Sequence, residues 1–110
     1  MRYRSPTLLA LAREFPHCMG CGNPNDGSVV MAHSNQSRDG KGMRLKAHDY
    51  RVAALCCTCH DIVDGRMIGR WYTGEDRADL WEIAHRATLG WLFEHGYISV
   101  HKRPQNEHIA

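Results

Sequence analysis

A chain of 110 residues with 43% hydrophobic and 24% charged side chains is sized for one small soluble domain, and a core this limited often leans on a metal. No apolar run approaches the ~20 residues that cross a bilayer, and no long apolar stretch follows the charges of Met1-Arg2-Tyr3-Arg4-Ser5-Pro6. Neither a membrane partner nor a secretory leader is therefore expected, and a reducing cytoplasm with free thiols is. The net charge of only +2 does not announce a nucleic-acid partner, but the distribution of that charge does more.

Ser5-Pro6-Thr7 supplies a cap and a first-turn proline for a short helix in which Leu8, Leu9, Leu11 and Ala12 cover the core. Cys18 to Asn25 reads as a turn-rich knuckle, and residues 28–33 as a strand ending in His33. The Gly-, Ser- and Asn-rich stretch 34–48 reads as a long exposed loop. Within it Arg38, Lys41, Arg44 and Lys46 are opposed only by Asp39, so the stretch is either a solvated loop or a set of phosphate contacts. A second strand over 50–55 delivers the chain to Cys56, and a short helix over 58–64 ends near Gly65.

Farther on, Thr73 with Asp76 caps a long helix over 74–96, stopped at Gly96. Leu80, Ile83, Ala84, Ala87, Trp91 and Leu92 recur at helical steps and are expected in the core. Tyr97-Ile98-Ser99-Val100 reads as a short strand, and 101–110 as a polar tail. The whole is one α+β domain over 1–110, with a knuckle and two-strand, one-helix core over 14–65. Trp71, Tyr72, Trp81 and Trp91 serve mainly the core, with enough aromatic surface to support a homodimer.

The sharpest signal is the pair of Cys-x-x-Cys motifs, Cys18/Cys21 and Cys56/Cys59. Two intervening residues let a tight turn aim both sulfurs at one point, and two such pairs can close a tetrahedral zinc site. Two disulfides or a redox pair are the alternatives, although a fifth thiol at Cys57 beside a bridge would invite reshuffling. Cys57 is read as a non-ligand.

Cys18/Cys21, a strand ending in Ala32-His33, Gly40-Lys41-Gly42, Asp49 and Cys56-Cys57-Thr58-Cys59-His60 followed by Asp61-Ile62-Val63-Asp64 together resemble the zinc-containing HNH, or ββα-metal, endonucleases, and within them the YbcO-like prophage nucleases. The resemblance covers about residues 14–100. It implies a metal-dependent DNA endonuclease of a bacterial host's cytoplasm, with a structural zinc and a second, catalytic divalent ion such as Mg²⁺. By the same resemblance His33 is the general base and His60 a catalytic metal-binding residue. Asp64, four residues on and on the same helical face, is a candidate oxygen ligand. Asp49 takes the place of the central asparagine that pins the loop, or supplies a further oxygen ligand.

Ala32 departs from the pattern, because the family often carries a metal-binding Asp or His before its base. The structural alternatives are a satisfied histidine at position 33, a solvated carboxylate at position 64 and a non-catalytic zinc knuckle that binds DNA or protein. His17, His48, His85, His95, His101 and His108 are read as surface or structural. His48 is singled out among them because it adjoins Asp49.

Overall fold

In the computed structural model, which describes residues 2–102, Ser5 opens α1 (Pro6–Ala10) with its Oγ accepting from the Leu8 N–H at 3.1 Å. The helix tightens into a 3₁₀ turn over Leu11–Glu14, half-burying Leu8, Leu9 and Leu11 and fully burying Ala12 and Phe15. Beyond the knuckle, β1 (Val30–His33) pairs antiparallel with β2 (Val52–Leu55), in the register Val30 to Leu55 and His33 to Val52. Each strand begins two residues later than expected. β2 runs straight into α2 (Cys57–Val63), and a 3₁₀ turn over Met67–Trp71 leads to α3 (Gly74–Glu94).

The ribbon and α3 form the two layers of the core. Alanines at 32, 53, 54 and 84, each at most 1% exposed, let helix and ribbon approach closely. Small side chains bring little apolar area, and α3 compensates with hydrogen bonds to the ribbon backbone. Trp81 Nε1 donates to the Ala32 carbonyl at 2.9 Å and His85 Nδ1 to the Val52 carbonyl at 2.7 Å. Thr88 Oγ1 accepts from the Ala54 N–H at 2.9 Å and passes its own proton to the Ala84 carbonyl. The buried face of α3 is thus Trp81, Ala84, His85, Thr88 and Leu92.

That face corrects the expectation drawn from apolar spacing. Ile83 is 68% exposed and Ala87 also faces solvent, while Leu80 and Trp91 are only partly buried against the core. The strand expected over 97–100 is absent too. Gly96 takes a left-handed φ of 77° and the Tyr97 and Ile98 N–H groups both return to the Leu92 carbonyl, closing the end of α3. A third strand would have needed an open ribbon edge, and α3 already holds the outer backbone groups of β2.

The stretch after β1 is not uniformly exposed either. Ser34 and Ala47 are fully buried, and a 3₁₀ turn over Ser37–Asp39 and a Gly42–Leu45 bridge satisfy much of its backbone internally. Of the aromatics, Trp81 is in the core and Trp91 packs on Phe15 at 4.2 Å. Trp71 and Tyr72 stand in solvent, 77% and 44% exposed. No described helix is long and apolar enough to cross a membrane. The expected tail lies, from residue 103 on, outside the described residues.

Candidate functional site

The Cys18 turn and the start of α2 bring four sulfurs together. The ligand atoms of Cys18, Cys21, Cys56 and Cys59 all lie within 4.8 Å of one another, and none is disulfide-bonded. Cys21 Sγ stands 3.8 Å from Cys56 Sγ. Sulfurs ~2.3 Å from one tetrahedral zinc ion stand about 3.8 Å apart, so the spacing fits a metal centre and far exceeds the ~2.05 Å of a disulfide. Cys57 is exposed and stands outside the quartet.

The backbone around Cys18 is arranged for a thiolate. Its Sγ accepts N–H bonds from Gly20, Cys21 and Cys56 at 3.3–3.4 Å. Burial opposes ionisation of Cys18, yet these donors, with the Cys21 thiol, bring it down to about 7. Burial and then the charge of Cys18 push Cys59 up, and burial likewise raises Cys56. Four thiolates this close need a cation among them before they can all ionise.

A depression of about 610 Å³ opens between the end of β1, the following loop and α2, lined in part by His33, Asn35, Lys41, Lys46, His60 and Asp64. His33 arrives there because it ends β1, where Val52 is its partner. Its Nε2 stands 2.8 Å from Asp49 Oδ1. A carboxylate only accepts, so Nε2 carries the ring proton and the lone pair of the neutral ring is left on Nδ1. Asp49 is 2% exposed, with Oδ2 accepting from the Ser5 N–H at 2.7 Å and Oδ1 also 3.3 Å from Arg4. Burial raises its pKa, but the His33 bond, the Ser5 N–H and the charges of His33 and Arg4 outweigh this and hold it below the usual carboxylate range.

Both Asp49 oxygens are thus committed. It orients His33 and ties the N-terminal segment to the loop, with Oδ1 shared between His33 and Arg4 and Oδ2 taken by the Ser5 N–H. Ala32 is 1% exposed in the core beneath Trp81 and is absent from the cavity wall.

His60 and Asp64, one turn apart on α2, place Nε2 and Oδ2 3.1 Å from each other. Adjacent ligands at ~2.1 Å in an octahedral shell stand about 3.0 Å apart, so the two atoms fit neighbouring positions on one hard cation. Hydrogen bonding to His60 leads the causes that hold Asp64 low, joined by Asn35 and by the charges of His60 and Arg66. Asn35 Nδ2 donates to Asp64 Oδ1 at 2.9 Å, while Arg66 reaches Oδ2 at 3.1 Å and also Asp61 at 3.2 Å. A bound cation would compete with that guanidinium. Among the described residues the cysteine quartet is the one group of three or more His, Cys, Asp or Glu side chains converging within 4.8 Å. His60 and Asp64 form a two-ligand pair, and His33 stands apart from it.

The four basic loop residues divide. Lys41 and Lys46 line the cavity. Arg38 turns instead to Glu82 of α3 at 3.9 Å, and Arg44, with a left-handed φ of 61°, lies at the exposed tip of the loop. Arg4, Asn35 and Arg66 support the site without having been expected to. Asn35 follows His33 by two residues, but nothing in its spacing marks it, and Arg4 reaches Asp49 across 45 positions of chain. No family model, curated protein or solved structure matches the chain.

Proposed function

We propose that the protein is a metal-dependent DNA endonuclease of the HNH, or ββα-metal, kind, carrying one structural zinc on Cys18, Cys21, Cys56 and Cys59. The observation that carries this reading is the single cavity wall shared by His33, His60, Asp64 and two lysines. A phosphodiester needs an attacking water relieved of a proton and negative charge accommodated at the phosphate. His33, its Nε2 proton held by Asp49, takes the water proton on Nδ1 and the hydroxide attacks phosphorus. The bond from phosphorus to one sugar oxygen breaks, that oxygen is protonated by solvent, and His33 returns its proton to solvent. Lys41 and Lys46 hold the flanking phosphates. His60 and Asp64 would hold a divalent ion such as Mg²⁺, which supplies Lewis-acid stabilisation of the scissile phosphate and leaving oxygen.

One observation favours a second reading, a zinc knuckle that binds DNA without cutting it: only two ligands converge on α2, and Arg66 already neutralises one of them. Incubating a plasmid with purified protein and Mg²⁺, Mn²⁺, Ni²⁺ or Zn²⁺, beside a His33→Ala control, separates the two. Nicking or linearisation that requires His33 supports the nuclease. DNA retention without cleavage under every ion supports the knuckle.

A further inference from the structure

Flanking Asp49 in the sequence and bonded to it through Tyr3, the structure builds an exposed aromatic cluster that the proposed chemistry does not use. His48 stacks on Tyr50 with ring centroids 5.0 Å apart and planes within 8°, and Tyr3 leans on Tyr50 at 5.5 Å. The Arg51 guanidinium lies 5.2 Å from the Tyr50 ring centre. Tyr3 and Tyr50 are nevertheless 49% and 45% exposed. Each of these large aromatics leaves about half of its surface in water, ring area that core packing does not use.

The cluster is tied together by hydrogen bonds between its own segments. The Tyr3 N–H donates to His48 Nδ1 at 3.1 Å, the Tyr3 carbonyl accepts from the Asp49 N–H at 3.0 Å, and the His48 N–H donates to the Asp39 carbonyl at 3.1 Å. Gly40 at φ 94° closes the basic loop against it, where an added Cβ would come within 2.7 Å of the His48 ring. Its electrostatic surroundings are cationic. The nearby carboxylates are already matched, Asp39 with Arg51 at 3.5 Å and Asp49 with Arg4 and His33, while Arg2 bonds the Gly40 carbonyl and Lys46 lies on the adjoining cavity wall.

We propose that Tyr3, His48 and Tyr50 form a stacking platform for unpaired nucleobases, so that the nucleic acid served by this site is single-stranded or locally opened. Flat π-faces accept any base, cations beside them hold the phosphates, and the bases of an intact duplex are already stacked on one another. The inference rests on the reading that this face meets nucleic acid, and it goes beyond that reading by naming the base as well as the phosphate as a ligand.

The test compares fluorescein-labelled oligo(dT) with an abasic strand of equal length and with duplex, by anisotropy in magnesium-free buffer. Wild type is expected to bind oligo(dT) at least ~10-fold tighter than the abasic strand, and Tyr50→Ala to lose ~5- to 100-fold of the oligo(dT) affinity while binding the abasic strand unchanged. Tyr50→Phe should keep the preference. Should Tyr50→Ala lose its fold, judged by zinc content, Tyr3→Ala carries the same expectation. Equal wild-type affinity for the two strands, or a preference that survives Tyr50→Ala and Tyr3→Ala alike, overturns the platform. Cleavage is scored separately with magnesium present. An inactive protein that keeps base-dependent binding sinks the nuclease and supports the platform, whereas an active one without base dependence sinks the platform alone.

Discussion

The molecule carries a cysteine quartet after β2 and, on the α2 that follows, the His60–Asp64 pair proposed to hold a second ion, and the two are built in opposite ways. At the end of β2 four sulfurs crowd within 4.8 Å, three backbone N–H groups already point at one of them, and no position is left for a substrate. On α2 only a histidine and an aspartate come together, on the wall of a wide cavity that His33 and two lysines also line. Saturated coordination serves folding, while incomplete coordination leaves places for water and phosphate. The lesson is that the second cluster should not be judged defective by the standard of the first.

The contrast can be broken most forcefully at the cysteines. Chelating the metal, or making Cys59→Ser, should unfold the domain outright, because a structural zinc contributes on the order of 10–16 kcal/mol of coupled binding and folding. Metal analysis of reduced protein should find one tightly held zinc, and far-ultraviolet circular dichroism should collapse when it is removed. A stable fold without metal, or a disulfide among the four, would remove the centre.

At the open cluster the effects fall on rate. His33→Ala should lower cleavage ~10²- to 10⁴-fold with zinc content and DNA affinity nearly unchanged. His60→Ala should be rescued in part by raising the divalent-ion concentration, which shows as a shifted metal-activation curve, and Asp64→Asn should follow it. An Asp64→Asn curve that overlays wild type would reduce that carboxylate to the partner of Asn35 and Arg66.

Smaller effects sharpen the comparison further. Neutralising Lys41 and Lys46 together should flatten the log-log salt dependence of DNA binding by about 1.5 to 2 units, and neutralising all four basic loop residues should flatten it by less than twice that in total, since Arg38 is turned to Glu82. Asp49→Asn tests the support of His33 through acid stability. The folded pKa of Asp49 lies below its unfolded value, so its stabilisation is present above about pH 4 and fades as pH falls through the folded value. The stability gap between wild type and Asp49→Asn should therefore be widest near neutrality and narrow in acid, as read by denaturant melts across pH. A constant gap would mean that the charge of Asp49 is irrelevant and only its shape matters.

Local signals were the legible ones. The cysteine spacing, the Ser5 and Thr73 caps and the Gly96 stop each depend on residues within a turn of one another, and all of them stand. The α3 face was misread for a reason visible in its residues. Trp81, His85 and Thr88 are buried to bond Ala32, Val52 and Ala54, so an apolar count passes over two of them and promotes Ile83 and Ala87 instead. The cavity was half legible. His33 and Asp64 sit at the ends of short elements and His60 one turn before Asp64, whereas Arg4 and Asn35 reach the site through tertiary closure that no spacing encodes.

The way α3 grips β2 also bears on how the protein behaves in a crowded cell. A two-stranded ribbon ordinarily leaves a row of unpaired backbone groups along its flank, and such a row is a template for another chain to add on as a further strand. Here the Val52 carbonyl is taken by His85 and the Ala54 N–H by Thr88, and the Ala54 carbonyl accepts from Met19 at 2.9 Å. Three side- and main-chain donors and acceptors from outside the sheet thus stand where a neighbour's strand would lie. The aggregation-resistant flank is created by polar atoms inside the core, and Thr88→Val, nearly the same in volume, would reopen it.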